Sequence, residues 1–174
     1  MFNNLIFTSN KDIKSSVAKH KFNMDEFNAI LGPIFIGNKD AAKQYSQYFS
    51  TIVNCTPSLP FAEHVRTHKI RIPIDDDPRL ANQMYDIIQK TQVLDTIHHC
   101  YKNNKKVLVH CHAGMQRSCC IVACYLIKYH DFTPQQAIAF IRTRRAIAFL
   151  PEANFNETLI MVYNDARIGK HLSV

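Results

Sequence analysis

From Lys105 to Tyr129 the chain passes from a short apolar run, through nine residues, into a helical pattern, and that junction limits the folds open to it. Val107, Leu108 and Val109 are apolar and mostly β-branched, as a buried strand requires. Beyond Gln116, the residues Ile121, Val122, Tyr125 and Leu126 recur at helical spacing. The run His110-Cys111-His112-Ala113-Gly114-Met115-Gln116-Arg117-Ser118 is therefore predicted to be a tight loop that opens a helix. A loop so placed turns backbone N–H groups toward one centre, and the helix dipole adds positive potential there. The sequence predicts an anion cradle.

Cys111 stands at the mouth of this cradle and Arg117 stands six residues later. Positive surroundings favour the thiolate, which is the nucleophilic form of cysteine. The planar guanidinium fork of Arg117 matches two oxygens of a phosphoryl group. A nucleophile facing a phosphate clamp points to phosphoryl transfer onto sulfur. Gly114 permits the bend with positive φ and a close approach of backbone to ligand. Ser118 can hydrogen-bond the sulfur and ease its departure in a second step.

These residues resemble the signature of the cysteine-based protein tyrosine phosphatases, in which His-Cys is followed by five residues, then Arg, then Ser or Thr. The Ala113-Gly114 pair and the short chain are most similar to the dual-specificity branch. The resemblance spans about Phe27 to Tyr163, and it includes Ile34-Phe35-Ile36-Gly37-Asn38 and the strand Thr51-Ile52-Val53-Asn54-Cys55. It implies a two-step hydrolysis without cofactor or metal. His112, Ala113, Gly114, Met115, Gln116 and Arg117 would line the phosphoryl site, and His110 would hold the loop backbone rather than act as a base. The linker Thr56 to Pro60 is short where the phosphotyrosine-only branch has a long aromatic-bearing loop. A shallow pocket that also admits phosphoserine and phosphothreonine is therefore expected.

A departing alkoxide or phenoxide needs a proton, and Asp75, Asp76 and Asp77 are the candidates. Alternation along Ile70, Ile72 and Ile74 would carry Asp75 on with the strand, and Pro78 restricts Asp77. Asp76 is clear of both constraints. It also stands two residues after the Ile-Pro-Ile-like run, where the resemblance places the acid. Arg142, Arg144 and Arg145 follow a helix expected from Thr133 to about Arg142. Relatives use a basic residue here for a second phosphate, so Arg144 and Arg145 are expected to act on substrate choice; a solvated basic face is the competing reading. Pro151-Glu152-Ala153-Asn154-Phe155 departs from the family's Pro-Asn-x-x-Phe. Glu152 stands where a loop-steadying Asn would be, and Asn154 is the candidate replacement.

With 174 residues, the chain is expected to form one α/β domain, a mainly parallel sheet flanked by helices. Residues 27–174 would form the catalytic domain, and 1–26 an extension with a helix from Ser9 to Lys19. That extension reads either as a loosely docked arm or as a helix that contacts a partner or a second copy in a homodimer. Further helices are expected over Asp40 to Phe49, from about Leu80 to Tyr101, and from Pro151 onward. The six cysteines, with no export signal, fit a reducing cytoplasm. Cys119, Cys120 and Cys124 read as buried on the helix, and His98 and His99 as helix surface. No stretch is long and apolar enough for a membrane span. The net charge of +7 favours anionic partners: phosphorylated proteins first, with nucleic acid permitted. An RNA 5′-phosphatase, a phosphoinositide phosphatase and a non-catalytic phosphopeptide-binding module are the alternatives. This loop lacks the Lys typical of phosphoinositide enzymes and the Thr-x-Gly and Arg-Thr of RNA members, while retaining both Cys111 and Arg117.

Overall fold

A computed structural model describes residues 26–63 and 66–171. Their strands form one five-stranded sheet in the order β1-β2-β5-β3-β4. The hairpin β1 (Phe27–Leu31) and β2 (Ile34–Gly37) is antiparallel and turns at Gly32-Pro33. Strands β3 (Thr51–Asn54), β4 (His68–Arg71) and β5 (Val107–His110) continue the sheet in parallel. β5 lies between β2 and β3 and is buried along its whole length, which is why its sequence is a continuous apolar run rather than an alternation.

Helix α1 (Lys39–Tyr45) covers one face of the sheet over a cluster that includes Phe27, Phe35, Phe49 and Leu108. The main core lies on the other face. There α2 (Ala81–Thr91), α3 (Val93–Lys102), α4 (Arg117–His130), α5 (Pro134–Arg144) and α6 (Asn156–His171) pack around α4. α4 is buried without interruption from Arg117 to Ile127, as expected of a helix surrounded by others. The expected capping box is present on α5: Thr133 Oγ1 accepts from Gln136 N–H at 3.2 Å and Gln136 Oε1 accepts from Thr133 N–H at 2.9 Å.

Several expected boundaries move. The single helix over 80–101 is two helices, because Gln92 takes a left-handed conformation with φ 51°. The helix after Asn38 ends at Tyr45 and tightens into a 3-10 turn over Ser46–Tyr48. β4 stops at Arg71, since Pro73 has no N–H for the ladder, yet Ile72 and Ile74 are still fully buried beyond it. α5 runs on to Arg144, and the last helix starts at Asn156 rather than at Pro151. The expected helix from Ser9 to Lys19, and with it the dimer contact, lies outside the described residues. Among the described residues no helix is long and apolar enough to cross a membrane.

Candidate active site

The sheet delivers Cys111 directly off the end of β5, and the chain returns into α4 at Arg117. The loop between them is closed around the sulfur. Cys111 is buried; its Sγ accepts from the Gly114 N–H at 3.2 Å and lies 3.3 Å from Ser118 Oγ. Both groups can stabilise negative charge on sulfur, and α4 begins beside it. Cys55 and Cys119 sit in a different environment. Burial first, and the neighbouring Cys111 second, push their thiols up, so they stay protonated. The other thiols expected on α4, Cys120 and Cys124, are buried as well.

Gly114 has φ 68°, and a Cβ there would lie 2.6 Å from the Gly37 carbonyl oxygen. The loop therefore presses its glycine against the end of β2. On its other side it is clamped by Arg145. Arg145 Nε donates to the Gly114 carbonyl at 2.6 Å, Nη2 to the Ala113 carbonyl at 3.2 Å, and Nη1 to Asn28 Oδ1 at 2.6 Å. Arg145 is only 2% exposed. This corrects the expectation of a surface residue that selects substrates: the guanidinium is an internal strut for the loop. Arg142 likewise donates to the carbonyls of Ala148 and Phe149, and exposed Arg144 lies over the Phe140 ring at 5.2 Å.

Arg117 points back toward the loop before α2. Its Nη1 donates to the Ile74 carbonyl at 3.2 Å, and its Nε lies 3.8 Å from Asp76 Oδ2. Of the three aspartates, Asp76 is thus the one facing the catalytic loop, and Asn154 Nδ2 donates to its Oδ1 at 3.0 Å. Asp77 is used differently: it caps the 3-10 turn Pro78–Leu80 and pairs with Arg79, whose hydrogen bonds hold its carboxyl below the usual range. Asp75 is exposed.

The Gln116 side chain braces a neighbouring segment. It is buried and turned to the segment before α6, donating to the carbonyls of Leu150 and Glu152 at 2.9 and 2.8 Å. It also accepts from the Asn154 N–H at 3.1 Å. Gln116 therefore fixes the backbone that presents Asn154 to Asp76, and Glu152 contributes its carbonyl. His110 is buried, with Nδ1 at 3.4 Å from the Cys111 carbonyl, and burial pushes it down to about 4. It is neutral at pH 7 and holds loop backbone. His112 is exposed, and its carbonyl accepts from Lys39 N–H at 3.1 Å. The Met115 carbonyl accepts from Phe149 N–H at 2.8 Å. Among the described residues no group of three or more His, Cys, Asp or Glu is placed to hold a metal. His98 stacks on Tyr129 at 3.9 Å, which accounts for it as helix packing.

Residues 34–165 match the model of the family described as the dual specificity phosphatase catalytic domain. The 123R protein of Invertebrate iridescent virus 6, which carries a tyrosine-phosphatase name, is 33% identical over 131 residues, 75% of this chain and 87% of that protein. Dual specificity protein phosphatase 14 of Mus musculus is 26% identical over 145 residues, 81% of this chain and 70% of that protein. Among solved structures, human DUSP28 superposes with a TM-score of 0.72 at 18% identity, covering 82% of this chain and 95% of that one. At that identity the superposition speaks for the fold.

Proposed function

Because the chain belongs to the dual specificity phosphatase catalytic-domain family and is a cysteine-based phosphatase, we propose that it hydrolyses phosphotyrosine and phosphoserine or phosphothreonine in proteins through a phosphocysteine on Cys111. The observation that carries this reading is the Cys111 sulfur held at the centre of the loop by the Gly114 N–H and Ser118 Oγ, with Arg117 and Asp76 side by side at its edge.

In the first step Cys111 Sγ bonds to phosphorus and the bond from phosphorus to the leaving oxygen breaks. Asp76 gives its proton to that oxygen. Arg117 and the loop N–H groups carry the charge on the equatorial oxygens, where fixed donors act most strongly. In the second step a water oxygen bonds to phosphorus and the S–P bond breaks. The water proton goes to Asp76, and Ser118 Oγ supports the departing sulfur. Asn154 keeps the Asp76 carboxyl group over the loop, as acid in the first step and as base in the second.

The test is a panel assay with wild-type enzyme and Cys111→Ser, covering phosphopeptides, an aryl phosphate, phosphoinositides and triphosphorylated RNA. Phosphopeptide and aryl phosphate turnover that Cys111→Ser abolishes, with phosphopeptide binding retained, is the expected result. Preference for phosphoinositide or RNA would move the substrate class and leave the chemistry. Loss of activity in chelator, or full activity in Cys111→Ser, would overturn the scheme itself.

A further inference from the structure

A groove of about 370 Å³ opens beside the catalytic loop on the α1 face of the sheet. Its position follows from strand order. β5 lies between β2 and β3, so the segments that leave β2 and β3 bracket the loop that leaves β5. One wall is α1, with Lys39, Asp40 and Lys43; the other is the loop after β3, with Leu59, Pro60 and Phe61. His110, next to the nucleophile, lies between them. The Lys39 N–H donates to the His112 carbonyl at 3.1 Å, so the first wall is tied to the catalytic loop.

The second wall is held in one shape. Arg71 donates from Nη1 to the Thr56 carbonyl and from Nη2 to the Leu59 carbonyl, both at 2.9 Å, while its guanidinium lies 4.7 Å from the Phe61 ring centroid. Asn54 Nδ2 also donates to the Leu59 carbonyl at 2.9 Å, and Thr56 Oγ1 accepts from Leu59 N–H at 3.2 Å. A wall ordered in advance loses little entropy when a ligand settles on it. Its surface is apolar and its surroundings are cationic. Lys39 and Lys43 are exposed, Lys69 Nζ lies 5.9 Å from the Phe61 ring centroid, and Asp40 is the carboxylate among the lining residues. The His110 Nε2 is buried without a hydrogen-bond partner. With Nδ1–H directed at the Cys111 carbonyl, Nε2 is an acceptor.

We infer that this groove is a second recognition site, which takes the polypeptide flanking the phosphorylated residue. An apolar side chain packs on Leu59, Pro60 and Phe61, and an anionic group, either a carboxylate or a second phosphoryl group, meets Lys39 and Lys43. The inference rests on the protein-phosphatase reading and specifies the substrate further. A polypeptide offers apolar and anionic side chains a few ångströms apart, together with N–H donors. An inositol headgroup would satisfy the lysines and leave the apolar wall unmatched. The groove also supplies what buried Arg145 does not, an accessible cationic surface beside the loop.

The test uses a series of phosphotyrosyl peptides with one apolar flanking residue, in which Gln, Glu or phosphoserine is walked through the nearby positions. An aryl phosphate is the control. Wild-type kcat/KM should favour Glu over Gln by about fivefold at the best position, as expected for one or two exposed ion pairs, and phosphoserine should do better still. Lys43→Glu should erase that preference and leave the aryl phosphate unchanged. Leu59→Ser should lower every peptide and spare the aryl phosphate. Equal kcat/KM across the wild-type series, or a preference that survives Lys43→Glu, would overturn the groove and leave the proposed activity standing. If no peptide is hydrolysed while phosphoinositide or RNA is, the protein-substrate reading falls and the groove falls with it.

Discussion

Arg145 carries a permanently charged guanidinium into the interior and directs it at the Ala113 and Gly114 carbonyls. Truncating such a group leaves buried acceptors unpaired, which costs about 2–4 kcal/mol. Arg145→Ala should therefore lower stability by about that amount in urea denaturation and reduce kcat/KM equally for aryl phosphates and phosphopeptides. A selective effect on acidic peptides would mean that Arg145 reaches substrate after all. Gly114→Ala faces a harder obstacle, a left-handed φ with the Gly37 carbonyl in the way. It should inactivate the enzyme even where circular dichroism shows a folded chain. The proposed scheme makes Asp76 the general acid, a role worth roughly 10²–10⁴-fold that falls with a better leaving group. Asp76→Asn should slow tyrosyl phosphates far more than activated aryl phosphates in steady-state assays. Asp77→Asn should leave both rates near wild type, because that side chain caps the turn at Pro78; the reverse pattern would transfer the acid to Asp77.

The segment Leu150 to Asn154 has no regular structure of its own and depends on one side chain from the catalytic loop. Gln116→Ala should release it, and Asn154 with it. The expected phenotype is a weaker copy of Asp76→Asn, with the same leaving-group dependence, and Asn154→Ala should match it. If Gln116→Ala instead raises KM alone, its side chain acts on binding. This pin was not legible in the sequence, where Gln116 is one loop residue among several and only its side chain's direction distinguishes it. Asn154 was legible only as a replacement for a residue that steadies the catalytic loop, whereas its side chain bonds Asp76, 78 positions away. The strand, the loop and the buried helix were legible because local apolar pattern and signature residues specify them. The break at Gln92 was not, because the apolar positions of α2 and α3 continue one helical pattern across it. Arg145 was misread because a charged residue in a basic run looks solvated until the carbonyls it meets are known.

For the molecule as a whole, burial sets the acid limb of stability. It holds His110 at about 4 and lowers His98 and His130 as well. The unfolded chain protonates these groups near the ordinary value of ~6.5. Below that pH the unfolded state binds more protons, so stability is full above about 6.5 and falls as the pH drops toward 4. His110 alone accounts for on the order of 3 kcal/mol over that window, at about 1.4 kcal/mol per unit. Asp77, bonded by Arg79, and Asp95, bonded by Tyr129 and Lys128 against the effect of its burial, are lowered carboxyls whose losses come only at lower pH. Urea denaturation should show a lower unfolding free energy at pH 5 than at pH 7, and His110→Gln should remove much of the difference; an unchanged difference would place the proton uptake elsewhere. In the proposed scheme the end of β5, the start of α4 and the loop that carries Asp76 come together for one chemical purpose, transfer of phosphorus to Cys111. Rapid acid quench of the enzyme during turnover of a phosphopeptide, followed by peptide mass spectrometry, measures that transfer directly. A phosphoryl group on the peptide that contains Cys111, absent in Cys111→Ser, is the predicted result. A phosphoryl group on another residue, or turnover that persists in Cys111→Ser, would contradict it.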